Sequence, residues 1–127
     1  MVEIRFEPER RLVSIRCRGP LKGSETIQAM RELVRDPRFR TGTSVVVDLR
    51  AVVAIELFGE EVRAASEQLS RLGDAFVGSR IAIVAASDAS FGISRQFELL
   101  QADARWEVRA FRALEEARRW LGLEEEE

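Results

Sequence analysis

Ser44-Val45-Val46-Val47-Asp48-Leu49-Arg50 is a short apolar run that ends abruptly on a carboxylate and an arginine. Val and Leu without interruption, bounded by turn residues, suit a strand buried on both faces better than a helix. Asp48 and Arg50 then stand at the carboxyl end of a central strand. In open α/β sheets ligands and partners are met at that end, so the stretch supplies both a fold and a place to look. It supplies no reaction.

Working outward, Val2-Glu3-Ile4-Arg5-Phe6 alternates apolar and polar, and 12–18 does so again with Val13, Ile15 and Cys17 on one face. These are two strands, and Glu7-Pro8-Glu9-Arg10 between them is short enough for a hairpin. Gly19-Pro20-Leu21-Lys22-Gly23 reads as a break, with Ser24 as N-cap of a helix that Asp36-Pro37 ends. Ile27, Met30, Leu33 and Val34 form its stripe.

Beyond Arg50, residues 51–58 are too apolar for a free loop and read as a buried crossover with a short extended piece. A second helix is expected over 59–72, with Val62, Ala65, Leu69 and Leu72 inward and Gly73 as C-cap. Arg80-Ile81-Ala82-Ile83-Val84-Ala85 is another buried strand. A third helix spans about 90–102, preceded by a loop with candidate N-caps. Alternation over 106–111 gives a last strand, and 114–123 a last helix.

The predicted fold is α/β in a single domain: a mixed, mostly parallel five-stranded sheet in the order β-β-α-β-α-β-α-β-α, helices mainly on one face. Right-handed crossovers make the later strands parallel. The domain is assigned to 1–123, with 124–127 an acidic, frayed tail. At 127 residues the chain can bury a core without metals or cross-links.

Composition excludes several function classes. The net charge of -2 argues against nucleic-acid binding through a basic surface. No apolar run approaches the ~20 residues of a membrane span, and the amino terminus lacks a signal-peptide pattern, so a cytoplasmic protein is expected. Lone Cys17 reads as a small buried hydrophobe. With no His and no Tyr, the commonest general base is missing and a Ser-His or Cys-His nucleophile is excluded. No catalytic residue, cofactor or metal site is expected.

Candidate binding residues cluster in two places. The first is Asp48, Arg50, Glu56, Leu57, Phe58 and Gly59. Asp48 and Glu56 could form a carboxylate pair, but an Asp after a strand more often braces backbone amides. The second is Ser87, Asp88, Ser90 and Phe91. Free amides at a helix start could hold an anion there, and capping accounts for the same residues. Phe58, Phe91 and Phe97 either line an apolar pocket or pack in the core.

The segment at 45–62, VVVDLRAVVAIELFGEEV, resembles the core of STAS domains, the fold of anti-sigma-factor antagonists. Downstream, RIAIVAAS, FGISRQFELL and EVRAFRALEEARRWL are similar to the SpoIIAA-like branch of that superfamily. The resemblance implies a non-enzymatic regulatory or interaction module, binding a protein partner or itself as a homodimer. It also implies an alternative, a carrier of an apolar, lipid-like small molecule related to CRAL-TRIO folds. Regulatory STAS domains carry a phosphorylated serine at the start of the helix that follows. Here Leu57 and Phe58 stand in its place, and neither offers a hydroxyl.

Overall fold

The computed structural model describes residues 1–56 and 59–123. The carboxyl-terminal tail at 124–127, Leu57 and Phe58 lie outside the described residues. The strands are β1 (Val2–Glu7), β2 (Leu12–Lys22), β3 (Ser44–Glu56), β4 (Arg80–Val84) and β5 (Glu107–Phe111). The helices are α1 (Gly23–Arg35), α2 (Gly59–Arg71), α3 (Asp88–Leu100) and α4 (Leu114–Trp120). The five strands lie side by side in chain order. β1 and β2 are antiparallel, joined through a 3-10 turn at Pro8–Arg10, and every later pairing is parallel. The expected element order and mixed sheet are what the chain forms.

Strand periodicity sorts side chains between two faces. Val13, Ile15 and Cys17, Val45 and Leu49, Ile81 and Ile83, and Val108 join Leu33, Val62 and Leu69 in the main core, beneath α1, α2 and α3. Leu12, Val46, Ala82 and Val84 point the other way and meet Ala117 of α4. Burial on both faces explains why the middle of β3 and β4 from Ile81 to Val84 read as unbroken apolar runs. α4 covers only part of the second face, where Trp120 stacks on Phe111 at 5.6 Å.

Local expectations need correction in several places. Gly19 and Pro20 do not break the chain but lie inside β2. Its register against β3 slips between Gly19 and Pro20, and a bulge tolerates a proline that has no N–H to give. Gly19 adopts φ +68°, open to glycine at little cost.

Residues 51–56 are not a buried crossover. They prolong β3, and Ala51, Val53 and Ala54 are exposed. β-branched residues favour extended backbone whether or not a core covers them, so apolar content alone misread their burial.

Helix ends shift as well. α1 starts at Gly23 with Lys22 before it and no side-chain cap, so Ser24 is not the N-cap. Gly73 opens a 3-10 turn, Gly73–Phe76, rather than capping α2 with positive φ. α3 starts two residues early at Asp88, and α4 ends at Trp120.

Candidate functional site

Two features stand where β4 ends: a braced bulge facing the uncovered side of the sheet, which lies in the middle of β3 rather than at the expected carboxyl end because β3 runs on to Glu56, and a ribbon that continues beyond it. Opposite Cys17, β3 carries one residue more than β2, since Arg16 faces Asp48 and Arg18 faces Ala51. Asp48 holds this bulge. Its Oδ1 accepts from the Arg50 amide at 3.0 Å and from Arg50 Nε at 2.9 Å, and its Oδ2 from Arg50 NH2 at 2.9 Å. Arg16 Nε approaches Oδ2 at 4.0 Å. The carboxylate thus braces backbone, the role expected of an Asp at such a place.

Burial alone would raise the pKa of Asp48. The hydrogen bonds from the Arg50 guanidinium and amide, with the charges of Arg50 and Arg16, outweigh it and leave the carboxyl below its ordinary value. A depressed folded pKa contributes stability above the unfolded value, lost as pH falls through the folded one. Asp48→Asn should therefore lower stability by about 1 kcal/mol at neutral pH. Below the ordinary carboxylate range the difference should vanish, as urea melts across that range would read.

Around the bulge the sheet is uncovered and rich in arginine. Glu3 pairs across to Arg16, Arg5 to Ser14 and Arg16 to Asp48, so these side chains share the face opposite the main core. Arg18 joins Glu3 at 3.6 Å. Arg5, Arg16, Arg18 and Arg50 stand here against Glu3 and Asp48, a local excess of positive charge in an acidic chain. The ribbon follows: β2 and β3 stay paired from Arg18↔Ala51 to Lys22↔Glu56, whereas β4 stops opposite Asp48.

Asp48 and Glu56 do not meet. Eight residue steps of extended chain separate them, about 26 Å at strand rise, so no carboxylate pair forms. Gly59 is the first residue of α2. At α3 the capping alternative holds: Ser87 Oγ accepts from the Ser90 amide at 3.1 Å and lies 2.6 Å from Ser90 Oγ. Asp88 pairs with Arg112, whose guanidinium also sits 4.7 Å over the Phe91 ring and donates to the Ala86 carbonyl at 2.8 Å. Arg16 and Arg112 were not singled out in the sequence. An alternating strand does put Arg16 on the polar face, but nothing local announces the union of Arg112 with a loop 24 residues upstream.

An apolar cavity of about 110 Å³ lies between the sheet and α1, α2 and α3. Cys17, Ala29, Leu49, Ala65, Ile83 and Phe97 are among the residues around it. Of the two open readings, Phe97 both lines the cavity and packs against the core, whereas Phe91 packs against the core beneath Arg112 and does not line the cavity. Small residues on the inward helix faces leave this space unfilled: Ala29, Ala65 and Ser94 are all buried.

Burial pushes the Cys17 thiol up to about 11, so it stays protonated at neutral pH. An aromatic disulfide reagent should find no reactive thiol in the native protein and one after denaturation. Rapid native labelling would contradict the burial.

Among the described residues no group of His, Cys, Asp or Glu could hold a metal ion, and no helix is long and apolar enough to cross a membrane. No family model matches the chain, and no curated protein matches it. Among solved structures it is similar to an uncharacterized protein from the DUF3478 family of Shewanella loihica PV-4, which has a SpoIIAA-like fold. The two share 15% identity with a TM-score of 0.60 over 95% of this chain and 92% of that one. The chain has a SpoIIAA-like fold. At that identity the likeness shows the SpoIIAA-like architecture and leaves the chemistry to the residues.

Proposed function

We propose that this protein is a non-enzymatic interaction module of the SpoIIAA-like type. It binds a protein partner or itself through the arginine-rich sheet face and the ribbon beside it, without a phosphorylatable serine at 57–58. The β2–β3 ribbon carries the reading. It exposes Ala51, Val53 and Ala54 beyond the end of β4, next to a face bearing four arginines. Exposed apolar surface rimmed by polar residues marks interaction sites, and an excess of arginine suits a partner with carboxylates to offer.

Photo-crosslinking tests it. A benzophenone side chain at Arg18 or Val53 should capture an adduct of defined mass in cells, and one at exposed Arg63 on α2 should not. Equal capture from all three positions, or none, would overturn the reading.

The cavity favours a second reading, the apolar-ligand carrier. At about 110 Å³ it falls below the roughly 300–1,000 Å³ of drug-sized ligand pockets, so it suits a small apolar group or the end of a chain. Native mass spectrometry after gentle purification should show a bound apolar mass that Ala65→Phe removes. A clean unliganded mass would sink this idea.

A further inference from the structure

Past Asp48, β3 has a strand on one side only among the described residues. Among the described residues β4 ends opposite Asp48 at Val84, while β2 follows β3 to Glu56. The backbone N–H and C=O groups on the other edge of residues 50–56 therefore meet no strand. An unpaired apolar edge of this kind is a template for another one.

The sequence on that edge is complementary to its own reverse. It reads Arg50-Ala51-Val52-Val53-Ala54-Ile55-Glu56, five uncharged residues between a cation and an anion. Laid antiparallel on a second copy about Val53, Arg50 meets Glu56, Ala51 meets Ile55, Val52 meets Ala54, and Val53 meets itself. Directly opposed residues in an antiparallel pair share a face, so opposite charges meet at both ends and small side chains face larger ones. A parallel, in-register pairing would instead set arginine on arginine and glutamate on glutamate.

The groups concerned are available for it. Val53 is 79% exposed. The register step from Gly19↔Val52 to Pro20↔Ala54 leaves it without an opposite number on β2. Arg50 spends Nε and NH2 on Asp48, and its NH1 makes no hydrogen bond among the described residues. Glu56 is exposed and makes no ion pair among them.

We infer that residues 50–56 form a homodimer interface, two copies joined by antiparallel pairing of their β3 extensions about a two-fold axis at Val53. This rests on the interaction-module reading and names a second copy as the occupant.

Sedimentation of the full chain over a range of concentrations should show a dimer. Glu56→Arg sets arginine against arginine twice and should weaken that dimer by about tenfold or more; Val53→Asp should abolish it, with unchanged circular dichroism in both variants. Val53→Cys should form a disulfide-linked dimer on oxidation. Ala51→Cys, displaced four residues from its own copy, should not.

A monomer at every concentration overturns the inference, as does a dimer that both substitutions leave intact. If photo-crosslinks from position 53 then reach a different protein, the interaction reading survives without self-pairing. If positions 18 and 53 capture nothing, both readings fall.

Discussion

Replacing Phe76 by alanine should lower the unfolding free energy by about 3–5 kcal/mol, the range for a large aromatic lost from a packed core. Phe76 is 1% exposed and closes the 3-10 turn between α2 and β4. Its ring lies 5.3 Å from that of Phe39, tilted, and 6.3 Å from that of Trp106, edge-on. Three loops are thus pinned at one point: the one entering β3, the one entering β4 and the one entering β5. Truncation leaves a void that rigid neighbouring strands cannot collapse into. For a domain whose total stability is of the order of 5–15 kcal/mol, the variant would sit near its unfolding threshold. Urea denaturation would read this as a lowered midpoint with an unchanged slope. A cost below about 1 kcal/mol would contradict the close packing.

Gln101→Ala should cost about 2–4 kcal/mol by a different route. Gln101, just past the end of α3, is 3% exposed and ties α2 to the residue before β5. Its Oε1 accepts from Trp106 Nε1 at 2.9 Å, and its Nε2 donates to the Ser66 carbonyl at 3.0 Å and to the Ser66 hydroxyl. Alanine would strand the Trp106 indole N–H and the Ser66 hydroxyl, each at about 1–3 kcal/mol when buried unpaired, whereas the Ser66 carbonyl keeps the Ser70 hydroxyl as a donor. The two-partner change, Gln101→Leu with Trp106→Phe, should cost less than the sum of the single changes. It removes donor and acceptor together. Additive costs in a double-mutant cycle would show that the bridge carries no coupling.

Neither network shows in the sequence. Ser66 lies on α2, Gln101 just past the end of α3 and Trp106 just before β5, and no local pattern says that these polar or amphipathic residues converge. The strands of the sheet centre were legible because burial on both faces leaves an unbroken apolar run, as at Val45-Val46-Val47 and Ile81-Ala82-Ile83. The same signal misled at 51–55, where an equally apolar stretch is extended yet exposed. Apolar content reports a preference for strand; what covers the strand depends on where its neighbour stops. Gly19-Pro20 misled in the opposite sense, because a bulge within a strand uses the residues of a turn. At the candidate site, Asp48 and Arg50 were legible as neighbours on one strand, but their place was not: β3 runs on to Glu56 and puts them at a bulge in its middle. Their union with Arg16 depends on register, and the cavity depends on summed volumes across three helices.

The strands lie in the sheet in the same order as in the chain. No strand has to be wedged between two that are already placed, and each new one adds to an edge that its predecessor left open. Growth in this direction suits a chain leaving the ribosome from its amino end, where β1 and β2 can close their hairpin before β3 is made. Each later addition then spans one short loop-and-helix connection rather than the whole domain. That keeps the entropy of closure low at every step and favours quick folding for a sheet that is mostly parallel.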